Sequence, residues 1–400
     1  MELKDTAIFI LSLNRFDSDL QSTSYNIAKE FAKHNQVYLI DNPFTLKDYF
    51  TLKNTEQYNL RKDSFFRKEG KLLDTDIKNL KIIIPPVTLS VNFIPEGKIY
   101  RFIQKLNEKI VLKCLQYHIK KRNIKKVIFI NSFNFHYAEL GSLLKPQLYI
   151  YNCIDPIRVE YDMKHGFESE YRIVKACDLV ICTSKQLYRE KIKINPHTYF
   201  IPNAADIYHF NNITHHIPED IKKLNDIKGP VIGYLGNIER RIDYNLLKDL
   251  ALLNKDKTFL FVGPVEKEQV PDFIYDISNI VFFGWVSYEQ VPYMMRKFDV
   301  AIIPFKSDEV SATIFPLKLF EYLGVGKPVV CSNFNPDLEP FTKGIVKYCN
   351  DAQSFSDAIQ DELTNNIEEK VNQRISIAAE NTWESRIKDL YKIIHHHLEK

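Results

Sequence analysis

Four hundred residues are more than one ordinary core organises, so two domains of about 150 to 200 residues each are the natural division. Apolar residues make up 45% and charged residues 26%, the balance of a soluble globular protein, and no run approaches the roughly 18 to 20 apolar residues of a membrane span. The net charge of +3 hides an asymmetry: residues 1–210 hold 32 Lys+Arg against 23 Asp+Glu (+9), and the remainder 22 against 28 (−6).

The basic excess is densest at 101–150, with ten basic and two acidic residues. Such a half suits an anionic membrane surface or an anionic acceptor, and the plain alternative is a solvated helix face. The six cysteines are Cys114, Cys153, Cys177, Cys182, Cys331 and Cys349. None forms a CxxC pair, which suits buried free thiols in a reducing cytosol rather than a disulfide framework or a zinc site.

The opening MELKDTAIFILSL is too short and too acidic in its flanks for a signal peptide and reads as a first strand at 7–12. A helix follows near 19–34, with Ile27, Ala28 and Phe31 on one side. Further strands are predicted at 37–41, 81–85, 126–131, 148–152, 179–183 and 198–202. Continuous apolar runs of this kind belong to strands covered on both faces, as in a parallel sheet with crossover helices. The segment 42–80 is polar, aromatic and irregular and reads as an insertion or mobile loop. Residues 98–122 have helical periodicity and many lysines, which fits a membrane-surface helix or a crossover helix with one wet face.

A polar stretch with no strand, 206–228, reads as a linker holding one short helix that starts near Pro218. Strand and helix patterns then resume at 231–236, 258–263, 280–284, 299–305, 327–332 and 345–349, a second α/β domain. The division is thus 1–205, a linker at 206–228, a second domain at 229–380, and a terminal helix at 381–400 that packs back on the first domain. Three consecutive histidines, 395–397, carry no expected metal role.

Two doubly wound domains place ligands at the carboxyl ends of their strands, with anionic groups near helix N-termini. The loop 306–316 precedes a helix opening at Pro316, a favourable first-turn residue. There the N–H groups of Thr313, Ile314 and Phe315 can converge on a phosphate, Lys318 adds a cation, and Glu321 can accept two ribose hydroxyls. Taken alone, strand–loop–helix–strand is a common unit. No G-x-G-x-x-G follows a predicted strand, which argues against a dinucleotide oxidoreductase.

PLKLFEYLGVGKPVV at 316–330 resembles the nucleotide-binding segment of family 4-like GT-B glycosyltransferases, most closely the bacterial teichuronic acid and exopolysaccharide subset. VIGYLGNIERRIDYNLL, TFLFVGP, NIVFFGWVSYEQVPYMM and FDVAIIPF follow the same order, CDLVICTSKQL and FIPNAADIYHF resemble the segments closing the acceptor domain, and YNCIDPIR resembles a Y-D-C-x-D motif of this subset. The likeness implies an α/β chain of GT-B type, with two Rossmann-like doubly wound domains facing across a cleft. It implies that Gly236 makes the phosphate turn, that Arg240 and Arg241 neutralise the diphosphate, and that Gly284 and Trp285 form the base-binding loop. For Trp285 simple packing is the alternative.

The resemblance is incomplete. Thr313 stands where the family often has a first glutamate facing the donor sugar, Ala204 replaces a usual glycine, and Asn152 replaces an aspartate. The implied function is sugar transfer from a nucleotide-sugar, a UDP-sugar before a GDP-sugar, to a saccharide or lipid-linked saccharide at the inner face of the cytoplasmic membrane. No metal, other cofactor or nucleic acid is implied, and the anomeric configuration is expected to be retained. Asp155 and His136 are the candidate catalytic groups of the acceptor domain, beside Arg241 on the donor side. The rival readings are a non-catalytic nucleotide-sugar-binding protein, motivated by Thr313, and a GT-B nucleotide-sugar epimerase.

Overall fold

The computed structural model describes residues 3–17, 22–157, 159–211 and 219–399. The expected starts of the first helix, at 19, and of the linker helix, near Pro218, fall outside them. The chain divides into two compact units, Met1–Pro202 with Arg386–Lys400, and Asn203–Ser385.

The first unit runs β1 (Thr6–Ser12), α1 (Thr23–Ala32), β2 (Gln36–Ile40), α2 (Leu46–Thr51), α3 (Glu56–Arg61), β3 (Lys71–Asp74), β4 (Leu80–Ile84), α4 (Lys98–Lys121), β5 (Lys126–Ser132), α5 (Leu140–Leu144), β6 (Leu148–Cys153), α6 (Glu160–Ala176), β7 (Leu179–Cys182), α7 (Lys185–Lys191) and β8 (Thr198–Phe200). Its sheet is ordered β3-β4-β2-β1-β5-β6-β7-β8. All pairings are parallel except the edge pair β3–β4. Every residue of β1 and β6 is buried, as continuous apolar strands covered on both faces must be. Chain order reverses between β1 and β5. Right-handed crossovers therefore put α1 on one face and α4, α5 and α6 on the other.

Segment 42–80 is ordered structure, not an irregular insertion. Thr45 and Asp48 cap α2 reciprocally, and α3 carries Arg61 into the interior. Arg61 Nε lies 2.8 Å from Asp41 at the end of β2, and its other nitrogens lie 2.7 and 2.6 Å from Asp17. One buried cation thus ties two loops to the sheet. A polar, aromatic composition concealed this, because the apolar partners are rings scattered over four segments, among them Phe44, Tyr49, Tyr58 and Phe65.

The second unit runs α8 (Ile207–Asn211), β9 (Val231–Leu235), α9 (Tyr244–Leu253), β10 (Thr258–Val262), β11 (Ile280–Gly284), α10 (Val291–Lys297), β12 (Val300–Ile303), α11 (Leu317–Gly324), β13 (Val329–Ser332), α12 (Glu339–Thr342), β14 (Lys347–Cys349), α13 (Ala352–Thr364), α14 (Glu368–Glu380) and the start of α15 (Trp383–Leu398). Its sheet is wholly parallel, ordered β11-β10-β9-β12-β13-β14. This is the doubly wound order that reverses between its first and fourth strands.

From Arg386 onward α15 belongs to the first unit, where the Tyr391 hydroxyl donates to Asn35 at 2.7 Å and its ring meets Phe31 edge-on. All six cysteines are buried and unpaired. Among the described residues no helix is long and apolar enough to cross a membrane.

Replacing Arg61 with leucine strands the buried Asp41 carboxylate. Denaturant unfolding should show a loss of roughly 3 to 5 kcal/mol, recovered in large part by Arg61→Leu combined with Asp41→Asn.

Candidate functional site

The switch point of the second unit lies between β9 and β12, and the loops leaving these two strands are zipped together. Asp243 N–H donates to Pro304 O at 2.8 Å, Lys306 N–H donates to Arg241 O at 2.8 Å, and Ile242 and Phe305 form an antiparallel bridge. Everything that follows them in space, Gly236 to Arg241 on one side and the lead into α11 on the other, is thereby held at the carboxyl ends of the strands.

Gly236 turns out of β9 at φ +134°, a region that side chains rarely occupy. A Cβ there would also lie 2.4 Å from Lys318 Nζ. Gly263, turning out of β10 at φ +137°, must be as bare, because a Cβ would meet Gly236 O at 2.3 Å. Two backbones thus approach each other closely under the Lys318 amine.

Helix α11 is amphipathic, with Leu319, Phe320, Tyr322 and Leu323 buried. Lys318 and Tyr322, four apart, share one side. The Leu235 N–H donates to the Tyr322 hydroxyl at 2.7 Å, which pins the helix to the end of β9. Lys318 is then delivered into a box of rings: it donates to the Tyr234 hydroxyl at 2.7 Å, and its Nζ lies 4.0 Å from the centre of that ring and 5.3 Å from the centre of Phe305. The Tyr234 hydroxyl passes its own hydrogen to Asn237 O at 3.0 Å. Arg241 pairs with Glu239, which is buried, and its guanidinium lies 5.8 Å from the Phe305 ring centre.

Burial pushes the Lys318 amine down to about 7, and the Arg241 charge adds to this against Glu321 and Glu239. Burial pushes the Glu321 carboxyl up to about 7, with Lys318 opposing and Asp206 reinforcing. Both side chains keep some open surface, so solvent moderates these shifts. The direction is what matters: burial, more than the neighbouring Arg241 charge, makes the lysine a weak base.

The loop before α11 differs from expectation in detail. The N–H groups of Thr313 and Ile314 donate to Val310 O and Ser311 O at 3.1 and 2.9 Å and close a 3-10 turn at Ser311–Thr313. Those two donors are therefore spent within the loop, and the Thr313 hydroxyl is spent on Val310 O as well. Pro316 is the N-cap of α11 rather than a residue of its first turn, and no side chain caps the helix. The anion donors best placed are the N–H groups of Phe315, Leu317 and Lys318, in the loop's last step and the open first turn. Arg240 is exposed beside the turn. Gly284 closes β11 at φ +94°, and the next residue, Trp285, is 60% exposed, so it is not a packing residue of the core. Tyr234, Glu239 and Tyr322 were not singled out in the sequence. Only the four-residue step from Lys318 to Tyr322 could have signalled one of them.

The first unit has its own switch point, between β1 and β5. A cavity of about 330 Å³ opens there, lined by Arg15 after β1, Asn42 after β2, Thr88 after β4, His136 after β5, and Gln104 and Asn107 of α4. Asn107 holds the loop after β4 with two hydrogen bonds to Leu89, at 2.8 and 2.9 Å. His136 sits in a 3-10 turn at Phe135–Tyr137, with Nε2 3.7 Å from an Asp162 oxygen on α6. Burial, with the neighbouring His165, pushes its imidazole down to about 4, so it is neutral at pH 7 and can accept a proton. Asp155 lies exposed in the bend after β6 and does not line this cavity. A larger cavity, about 760 Å³, opens at the amino ends of β1, β2 and β5, the end of an open α/β sheet opposite the usual ligand crevice.

A parallel sheet of this order, with a cationic turn at its switch point and a second doubly wound unit ahead of it, defines the GT-B class of glycosyltransferases. Solved structures agree in fold over nearly the whole chain. Sucrose-phosphate synthase of Thermosynechococcus elongatus matches with a TM-score of 0.66 at 14% identity, over 98% of each chain. HepE of Anabaena, solved with UDP, matches at 0.63 and 17% over 98% of this chain and 100% of its own. An E. coli trehalose-6-phosphate protein bound to UDP-2-fluoro glucose matches at 0.65 and 10%, over 97% and 98%. Residues 229–365, within the second unit, match the family Glycosyl transferases group 1, and the chain has the GT-B fold. TuaH of Bacillus subtilis (strain 168), a glycosyltransferase named for teichuronic acid biosynthesis, is 30% identical over 210 residues, 48% of this chain and 52% of TuaH. The chain thus spans about half the length of the curated relative it matches.

The Lys318 geometry can be read directly. Competitive acylation followed by mass spectrometry should show Lys318 reacting with a midpoint near pH 7, against roughly 10.4 for surface lysines. Saturating diphosphate should move that midpoint upward.

Proposed function

We propose that this chain transfers a sugar from a nucleoside-diphosphate sugar, a UDP-sugar before a GDP-sugar, to a saccharide or lipid-linked saccharide in cell-surface polysaccharide synthesis. The observation that carries the proposal is the Lys318–Gly236–Arg241 cradle with Glu321 one helical turn away. It combines counter-charges for a diphosphate with a carboxylate three residues further along the same helix, where a ribose could follow. Two of the fold neighbours are described with uridine nucleotides bound, and TuaH is named for teichuronic acid, which favours this donor and this product class.

In this reading Lys318, Arg241, Arg240 and the open first turn of α11 stabilise the departing diphosphate. That is electrostatic catalysis by positioned charge, and the proposed reaction needs no metal ion. Glu321 accepts the ribose hydroxyls, and Gly284 and Trp285 receive the base. Thr313, its hydroxyl already donating to Val310 O, offers the sugar no carboxylate and at most an acceptor. The first unit takes the acceptor in the cavity at its switch point, whose amides, hydroxyls and charged groups suit a saccharide. Neutral His136, 3.7 Å from Asp162, and Asp155 are the acceptor-side candidates. The configuration at the anomeric carbon is retained, the acceptor hydroxyl arriving on the face the diphosphate leaves.

Transfer assays over a panel of UDP- and GDP-sugars test the reading. Glu321→Ala should lower kcat/KM about 10- to 100-fold, the equivalent of about 1.5 to 3 kcal/mol for hydrogen bonds to a charged group. Arg241→Ala should lower kcat by about 100-fold or more. Undiminished product with both changes would overturn the site, and tight UDP binding with no transfer to any acceptor would favour a non-catalytic role.

UDP affinity should also depend on pH through Lys318. The protonated amine binds the diphosphate, and the bound state raises its pKa. Affinity from this group is therefore full below about 7 and falls as pH rises above it. Calorimetry should show proton uptake near pH 8 that Lys318→Met abolishes.

A further inference from the structure

The larger cavity of the first unit, about 760 Å³, lies at the amino ends of β1, β2 and β5. A strand length separates it from the smaller cavity at the carboxyl ends, roughly 20 Å for a strand of the length of β1. An occupant there would not reach His136. The amino ends of an open sheet ordinarily lack ligands, because the covering helices turn their carboxyl ends that way. Here the carboxyl end of α4 is closed on itself. The N–H groups of Arg122, Asn123 and Ile124 donate to the carbonyls of His118, Lys120 and Ile119 at 3.2, 3.2 and 3.1 Å. Side chains then supply what the backbone does not.

Three observations point to an anion. The first is Tyr38 of β2. It is 3% exposed and lines the cavity, yet among the described residues its hydroxyl has no hydrogen-bond partner. A buried polar group of this kind calls for a partner. Burial pushes the phenol up, while the charges of Arg122 and Lys81 pull it down, so both cations act on the hydroxyl.

The second is how Arg122 is held. His118 of α4 is buried, and its Nε2 lies 2.8 Å from Glu69 O, so Nε2 carries the proton and Nδ1 accepts. Arg122 Nη1 donates to that Nδ1 at 2.9 Å, and its guanidinium lies 5.9 Å from the Tyr38 ring centre. Burial pushes the His118 imidazole down, so it is neutral at pH 7. Arg122 is thus fixed in place by a neutral partner and keeps its full charge.

The third is the surrounding charge. Lys81, the register partner of Tyr38 on β4, reaches the exposed Asp74 of β3. Lys125 and Lys126, at the start of β5, line the cavity and pair with no carboxylate among the described residues. Among the described residues of the wall, Asp5 alone is acidic.

We propose that this cavity binds a phosphate-bearing metabolite, its phosphate between the Arg122 guanidinium and the Tyr38 hydroxyl, with Lys81, Lys125 and Lys126 as outer cations. A guanidinium offers paired donors to phosphate oxygens, a phenol adds one more, and lysines add charge. The cavity is far larger than a phosphate ion and matches small-molecule sites in volume, so it has room for the organic remainder of the ligand. The inference goes beyond the proposed function and holds whether or not the chain transfers a sugar.

The test is calorimetric titration of the full chain, at pH 7 and low salt, with inorganic phosphate, glycerol 3-phosphate and ribose 5-phosphate. The expected result is saturable binding of an organic phosphate with a dissociation constant of about 1 mM or below. It should be tighter than that of inorganic phosphate and weakened by salt. Tyr38→Phe removes only an atom without a partner, so it should melt as the wild type does and bind several-fold more weakly. Arg122→Met should weaken binding at least tenfold. Lys318→Met with Arg241→Ala, which strips two cations from the second unit's cradle, should leave the affinity for the organic phosphate unchanged. No saturation by any of the three probes would overturn the proposal. So would equal affinity for inorganic and organic phosphate, the mark of a patch of surface charge. So would binding that survives Tyr38→Phe and Arg122→Met and is lost in Lys318→Met with Arg241→Ala, which would assign the heat to the second unit.

Discussion

An ammonium group held against bare backbone is the interaction on which the second unit's site depends. Lys318 can reach Gly236 because Tyr322, one turn further along α11, is bonded to the end of β9. Its amine is surrounded by rings that attract a cation but cannot neutralise it. Arg241, close by, is partly satisfied by Glu239. Lys318 and Arg241 thus share the site with Glu239 and Glu321, in a place too dry to hydrate these charges fully. Burial is the main cause of both the depressed lysine and the elevated Glu321 carboxyl, so each group leans toward its neutral form until a charged partner joins it.

The two units solve a common problem with different chemistry. Each reverses its strand order once, and each carries polar groups in the loops at that point. In the second unit the loop after β9 turns at Gly236 and carries Arg240 and Arg241, and the first turn of α11 adds Lys318. In the first unit the loops around the cavity are braced by Arg61 and Asn107 and lined with amides, hydroxyls, a neutral histidine and the charged Arg15, Lys47 and Asp48. A site of that kind offers a directional hydrogen-bond pattern as well as charge, which is the ground for proposing a polyhydroxylated acceptor there. The segment 42–80 matters for this reason. It supplies Thr45, Lys47 and Asp48 to the cavity wall, and it is held in place by one buried cation between two aspartates.

The alternation of apolar runs and helical patterns was enough to read both sheets. Strands covered on both faces are continuous in hydrophobicity, and this signal is local. Glu321, Lys318 and Gly236 were legible for a second reason: they sit at fixed short distances from a strand end or a helix start, so a motif captures their geometry. The antiparallel edge strand β3 and the helices α2 and α3 escaped because their stabilising partners are distant aromatic rings and a single ion triad, not a period in their own sequence. The 3-10 turn that consumes the Thr313 and Ile314 donors escaped too, since whether a loop N–H points inward or outward depends on backbone angles that residue identity leaves open there.

The amino-acid sequence by itself determined that this chain is two doubly wound α/β units and that 316–330 presents a helix start with a lysine and a glutamate three apart. These are properties of local pattern, which hydrophobic burial and helix geometry read without ambiguity. Only the tertiary structure decided that Lys318 lies over Gly236 and beside Tyr234. It alone brought His136 to Asp162, and set Arg122 beside the Tyr38 ring at the amino ends of the first sheet. Those juxtapositions join residues up to about a hundred positions apart, and they arise from sheet order and crossover handedness. No spacing along the chain encodes them.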